Sequence, residues 1–281
     1  QAYDTFAERE AMFNSALDKT RRGVIACVFD TSDRVQHMFY RFLEGRGAPE
    51  LNGKYDLTIQ DLYQRMDALV GRAMKHVDDQ TVLFVLSDHG FCSFRRGINL
   101  NRWLLENGYL TLKDGAEESG PYFRDVDWSR TKAYTFGLGG LYLNLKGREA
   151  EGIVTAAEAA SLKQDLIVKL NGLADPETGE AGIKTVYATD ALYNGPYLRE
   201  APDLIVGYSE GYRTSWGAAV GKVSATVFED NCKAWSGDHC VDPGLVPGVL
   251  FCNRTLDADD PGIEDMAPTA LELFGLKPPA W

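Results

Sequence analysis

The sequence predicts an α/β protein built on a mostly parallel sheet with helices on both faces. Two observations carry this. Gly23–Phe29 and Thr81–Leu86 are short, continuous apolar runs that stop close to Asp30 and Asp88, and such runs read as strands buried on both faces. Between them lie segments with apolar residues at helical spacing, so the order is strand, helix, strand, the rhythm of a doubly wound domain.

The elements follow in order. Tyr3–Lys19 reads as a helix, with Phe6, Met12, Phe13 and Leu17 near helical spacing and charges between them. Asp33–Leu43 is a second helix. Thr58–Val77 is a third, placing Ile59, Leu62, Met66, Leu69, Val70 and Met74 on one side. Gly97–Asn107 reads as a helix stopped by Gly108, a natural residue just past a helix end. Lys113–Arg130 is polar, carries Gly115, Gly120 and Pro121, and reads as a loop or insertion. Leu141–Leu145 alternates like a strand, Thr155–Leu170 has helical periodicity, and Asp175–Gly182 is rich in turn residues. Ile183–Tyr187, Asp203–Tyr208 and Gly248–Cys252 are further strands, the second entered from Pro202. Ala267–Phe274 is the last helix, closed by Gly275 with Pro278 and Pro279 beyond. Residues 1–281 read as one α/β domain, and residues 115–190, which interrupt the rhythm, as a possible inserted subdomain.

Composition narrows the functional classes. A chain of 281 residues with 44% hydrophobic and 25% charged residues is long enough to bury a large core without disulfides. No run of 18 apolar residues exists, so no segment reads as a membrane-spanning helix. The formal charge is −12, from 29 basic and 41 acidic residues. That argues against nucleic-acid binding, which needs a positive footprint. A phosphate ester would need a local positive centre, either a metal ion or a few arginines. The five cysteines form no C-x-x-C pair, which speaks against a cysteine zinc site and fits a reducing compartment such as the cytoplasm.

Only four histidines are present. Asp33 and His37 are four apart, so one helical face presents both. Asp88 and His89 are adjacent at a predicted strand end, where α/β proteins bind ligands. His239 sits in the polar turn Ser236-Gly-Asp-His-Cys240, and His76, in Lys75-His-Val-Asp-Asp79, reads as solvated. With 41 acidic residues, a carboxylate at a chosen offset from a histidine is common, and either pair alone is equally a surface ion pair. Their joint placement at two predicted strand ends is what points to metal. Oxygen and imidazole donors suit zinc or manganese, and three protein ligands with an open position mark a catalytic ion.

The motifs, taken together, resemble a known family. They are Asp30-Thr-Ser-Asp-Arg-Val-Gln-His37, Val85-Leu-Ser-Asp-His-Gly-Phe91, Arg95–Tyr109, Leu141–Arg148, Ala201-Pro-Asp-Leu-Ile-Val206, Trp235-Ser-Gly-Asp-His239 and Asp265-Met-Ala-Pro-Thr-Ala-Leu-Glu-Leu-Phe-Gly275. In this order they resemble the alkaline phosphatase superfamily, in its type I phosphodiesterase/nucleotide pyrophosphatase branch of phosphohydrolases and phosphomutases. The resemblance implies a three-layer alkaline phosphatase-like sandwich and two divalent ions, zinc before manganese. It implies that Asp33, His37 and His239 hold one ion, and that Asp88 and His89 supply half of the other site. It implies a phosphate-ester substrate, with Arg95, Arg96 and Asn99 near enough to the Asp-His motif to contact it. The same three residues read equally well as surface residues opening the next helix.

The family's second site also takes an earlier aspartate and a Thr or Ser nucleophile, and nothing before Asp30 resembles that segment. By the family's order Thr31, Ser32, Ser87 and Ser236 are not the nucleophile; capping and turn roles suit them. The expectation is therefore a piece of a longer metal-dependent phosphoesterase, inactive by itself, with the catalytic residue unassigned. An unpaired sheet edge left by the missing strand would favour self-association. The alternatives are an inactive interaction or binding module on the same scaffold, a phosphomutase, or a sulfatase. The Cys/Ser-x-Pro-x-Arg motif of sulfatases does not occur.

Overall fold

The structure is a computed structural model that describes residues 1–51 and 53–279. In chain order the helices are α1 (Ala2–Lys19), α2 (Thr31–Leu43), α3 (Thr58–Ala73), α4 (Leu100–Glu106), α5 (Ala156–Leu170), α6 (Thr189–Leu192) and α7 (Met266–Leu273). The strands are β1 (Phe84–Leu86), β2 (Cys92–Ile98), β3 (Ala133–Phe136), β4 (Gly140–Leu143), β5 (Ile183–Ala188), β6 (Leu204–Tyr208), β7 (Gly211–Thr214), β8 (Phe228–Asp230), β9 (Gly237–Asp238) and β10 (Leu250–Cys252). Two compact units result, one of Gln1–Gly90 with Pro247–Trp281 and one of Phe91–Val246. Residues 115–190 lie inside the second. Among the described residues no helix is long and apolar enough to cross a membrane.

In the first unit the apolar stripes of α2 and α3 meet. Val35, Ile59 and Leu62 are buried together, with Phe39 and Tyr40 against them. The run Val24–Phe29 is a correction to the predicted fold. It belongs to no strand, and Val24 and Val28 are 65% and 74% exposed. It is tied to α1 instead. The Phe29 ring lies 5.5 Å from Phe6 and 6.0 Å from Phe13, and Arg9 donates to the Val28 carbonyl. An apolar β-branched run states a preference, but a strand also needs a ladder partner, and none of the described strands pairs with it. The second predicted strand does form, shortened to β1 and only partly buried. It pairs antiparallel with β10, Phe84 opposite Cys252 and Leu86 opposite Leu250. The ladder runs on through Ser87, whose hydroxyl accepts from Val249 N at 3.0 Å. Gly248 permits this closeness, since a Cβ there would lie 2.6 Å from the Ser87 carbonyl oxygen.

The second unit holds the larger core. Its four-stranded sheet, in the order β3-β4-β6-β5, is antiparallel throughout. Leu141, Leu143, Ile183, Val186, Leu204 and Val206 are buried with Leu166 and Leu170 of α5. Helix α5 starts where Thr155 and Glu158 form a reciprocal capping box, which satisfies two backbone donors at once. A further sheet has the order β7-β2-β8, with β9 also on β2. Only β2 and β7 run parallel there. The mostly parallel single sheet is thus replaced by a mixed α/β arrangement of several partly antiparallel sheets.

Asp242 ties a turn to β5 in this unit. It is 2% exposed and accepts from Lys184 Nζ at 2.9 Å, Tyr187 OH at 2.7 Å and Gly244 N at 3.1 Å. Burial works against the charged form, but these donors outweigh it and hold the carboxyl below the usual aspartate range. A depressed folded-state pKa gives stability that is complete above the unfolded value of about 4 and is lost as pH falls through the folded value. Acid-unfolding curves of Asp242→Asn should therefore converge on the wild type at low pH and fall below it above about pH 4. A constant gap at all pH values would show that the carboxylate charge is not what matters.

Candidate functional site

Helix α2 opens at Asp30, its N-cap residue. The Asp30 carboxylate is engaged by Arg9 at 3.2 Å and Arg34 at 2.8 Å. One turn on, the helical repeat brings Asp33 and His37 together, Oδ1 to Nε2 at 3.3 Å. Asp33 is half-exposed while the His37 side chain is 4% exposed. The pair is thus rooted in the unit's interior and opens to solvent at its carboxylate.

Asp88 and His89 follow β1, with Asp88 Oδ2 3.5 Å from His89 Nε2. His89 Nδ1 lies 2.9 Å from the Gly90 carbonyl oxygen. A carbonyl only accepts, so this contact calls for a proton on Nδ1 and leaves Nε2 as the nitrogen that faces Asp88. A ring nitrogen lone pair and a carboxylate oxygen facing each other repel unless a proton or cation lies between them. Two ligands each about 2.0–2.1 Å from a tetrahedral zinc are about 3.3 Å apart. Both carboxylate–imidazole pairs match that spacing, and the His89 arrangement is the usual one for a ligating histidine. The donor sets therefore fit a divalent ion.

His239, in the second unit, follows β9. Its ring stands edge-on to Phe91, centroids 5.2 Å apart. The adjacent Asp238, Cys240 and His239 side chains lie close enough to share an ion, but Asp238 is already engaged. It is 1% exposed. Its Oδ1 accepts from the backbone N–H of His239 and Cys240, each at 2.9 Å. Its Oδ2 accepts from Trp235 Nε1 at 2.8 Å and from Arg213. Arg213 is itself buried, its guanidinium 4.5 Å from the Phe94 ring centroid and 4.3 Å from that of Trp216. Burial opposes ionisation of Asp238, yet the Arg213 charge and the donated N–H groups keep its carboxyl below the usual range. Asp238 thus fixes the backbone that carries His239. The burial of Arg213 beneath it carried no local signal in the sequence.

The three expected substrate contacts separate. Arg95 is exposed on β2. Arg96 faces carboxylates on every nitrogen: Asp175, Glu177 at 2.7 Å and Asp230 at 2.6 Å. Asn99 is the N-cap of α4, accepting from Arg102 N at 2.9 Å and donating to Ser224 Oγ at 2.8 Å. Among the hydroxyls, Ser32 donates to the Phe29 carbonyl and Ser87 accepts from Val249 N. The Ser32 contact is a local turn role of the kind expected, whereas Ser87 bonds across to the strand partner of β1.

No curated protein matches the chain. The family described as type I phosphodiesterase / nucleotide pyrophosphatase matches over residues 2–222. That span contains Asp33, His37, Asp88, His89 and Arg95, and ends before His239. It covers well over half of the sequence, and the chain belongs to the type I phosphodiesterase / nucleotide pyrophosphatase family, a branch of the alkaline phosphatase superfamily.

Proposed function

We propose that this chain carries the metal-binding part of a divalent-metal-dependent phosphoesterase. In this reading Asp33, His37 and His239 hold one ion, and Asp88 and His89 contribute to a second. Zinc is the first choice and manganese the next for oxygen and imidazole donors. The observation that carries the reading is the pair of carboxylate–imidazole contacts, at 3.3 and 3.5 Å, inside the family-matched span. When bound, the ions would supply Lewis-acid charge to a phosphoryl oxygen and ease deprotonation of a hydroxyl nucleophile. Arg95, exposed and close in sequence to the Asp-His motif, would offer N–H donors to a phosphate oxygen. Asp238 would hold the His239 backbone, and Gly90 would hold the His89 tautomer.

The Ser32 and Ser87 hydroxyls are engaged by backbone groups, which favours a second reading, a binding module that takes up metal without turning over an ester. One experiment separates the two. The chain is stripped with chelator, reloaded with zinc or manganese, analysed for bound metal, and assayed with bis-(p-nitrophenyl) phosphate against buffer plus metal. Bound metal with hydrolysis that chelator removes is the outcome expected of the phosphoesterase. Bound metal without hydrolysis would favour the module, and failure to bind either ion would overturn both.

A further inference from the structure

A cavity unrelated to the phosphoesterase reading lies wholly within the second unit. It has a volume of about 430 Å³ and is lined by Tyr122, Phe123, Trp128, Tyr134 and Phe136. This is within the size range of small-molecule sites. The rings form a connected wall. Phe123 stands edge-on to Trp128 and Tyr134, at 5.3 and 5.4 Å, and Trp128 stands edge-on to Tyr134 at 5.1 Å.

The wall is held at a backbone cost. Tyr122 and Phe123 have φ of 60° and 56°, the only positive values at non-glycine positions among the described residues. Bulky side chains seldom adopt this left-handed region, and such outliers gather where a ligand is clamped. Phe123 N donates to the Gly221 carbonyl at 3.2 Å. Gly221 is required there, since a Cβ would sit 2.8 Å from the Phe123 ring. Tyr122 meanwhile is 74% exposed, an arrangement with no benefit to the core.

The polar part of the lining accepts rather than donates. Asn144 is fully buried. Its Nδ2 is spent on the carbonyls of Trp128, Thr131 and Glu151, while its Oδ1 has no hydrogen-bond partner among the described residues. The Tyr134 hydroxyl donates to Glu149. Glu149 is also held by Arg148 and Leu145 N, and Glu151 adds an exposed carboxylate. No Lys or Arg is among the lining residues. Aromatic rings beside acceptors and a carboxylate disfavour anions and suit organic cations.

We infer that this aromatic cavity binds a methylated ammonium group. The group is either that of a small soluble compound or a lipid headgroup.

The test uses choline and its uncharged isostere 3,3-dimethylbutan-1-ol, titrated into the full chain by calorimetry. Choline should bind saturably, and the isostere at least about fivefold more weakly, because only the cation gains from the ring faces. Tyr122→Ala and Glu151→Gln alter exposed side chains, and each should weaken choline by at least about threefold with an unchanged circular dichroism spectrum. If Tyr122→Ala disturbs the fold, Glu151→Gln carries the comparison alone. Co-sedimentation with phosphatidylcholine but not phosphatidylglycerol vesicles, lost in the same variants, would identify the lipid as the source; binding of free choline alone would identify a soluble compound. Equal binding of the isostere, unchanged choline binding in folded variants, or no binding to choline or either vesicle would overturn the inference.

Discussion

Replacing His37 by alanine, or Asp33 by asparagine, is expected to cut zinc affinity by at least about 100-fold, beyond the 10–100-fold that loss of a supporting contact causes. The two side chains meet at 3.3 Å on one face of α2, and each substitution removes one of the two facing donors. His37 is buried, so its truncation also leaves a gap. Asp33→Asn is the cleaner variant, because the side chain is half-exposed and the amide keeps its shape. Equilibrium dialysis with metal analysis measures the loss directly. Thermal unfolding measures it independently: an ion bound only by the folded chain raises Tm by mass action, and the variants should lose that rise. A zinc-dependent Tm shift that survives in Asp33→Asn would remove Asp33 from the ligand set.

Asp238→Asn should destabilise the chain by about 3–5 kcal/mol, the usual cost of leaving one buried charge without its partner. Arg213 and Asp238 are both nearly inaccessible, with side chains 4% and 1% exposed. The guanidinium would remain between the Phe94 and Trp216 rings with nothing to neutralise it. Against a total stability of about 5–15 kcal/mol that loss is large, and it should lower Tm by roughly 6–20 °C. Removing both charges with Arg213→Met and Asp238→Leu should recover only part of it. Apolar replacement cures the buried charge, but the N–H groups of His239 and Cys240 then lose their acceptor. Chemical denaturation of the two variants tests this, and a loss below about 1 kcal/mol for Asp238→Asn would show that water reaches the pair.

Much of the local structure was legible in the residues. The stripes of Tyr3–Lys19 and Thr58–Val77 became α1 and α3, and the periodicity of Thr155–Leu170 became α5. The alternation at Leu141 and the runs at Ile183 and Leu204 became β4, β5 and β6. Strand β2 was missed. Arg95 and Arg96 in Cys92–Ile98 break the apolar pattern and look like the opening of a helix, which begins only at Leu100. A charged residue is tolerated in that strand because Asp175, Glu177 and Asp230 surround Arg96, and no window around position 96 contains them.

By itself, then, the sequence determined what depends on neighbours a few residues apart. This covers the helices, the four-residue step that joins Asp33 to His37, the adjacency of Asp88 and His89, and the ordered motifs of the family. Tertiary structure decided what depends on a distant partner. Val24–Phe29 has the composition of a buried strand yet forms none and is tied to α1, because strand formation needs a second backbone to complete its hydrogen bonds. Strand direction was decided the same way: β1 runs antiparallel to β10, a pairing across more than 160 residues that apolar runs do not encode. The fates of Asp238 and Arg96 were likewise set by Arg213 and Asp175. An acidic or basic residue in a sequence is only a charge, and whether it binds a ligand or neutralises a buried partner depends on what the fold places beside it.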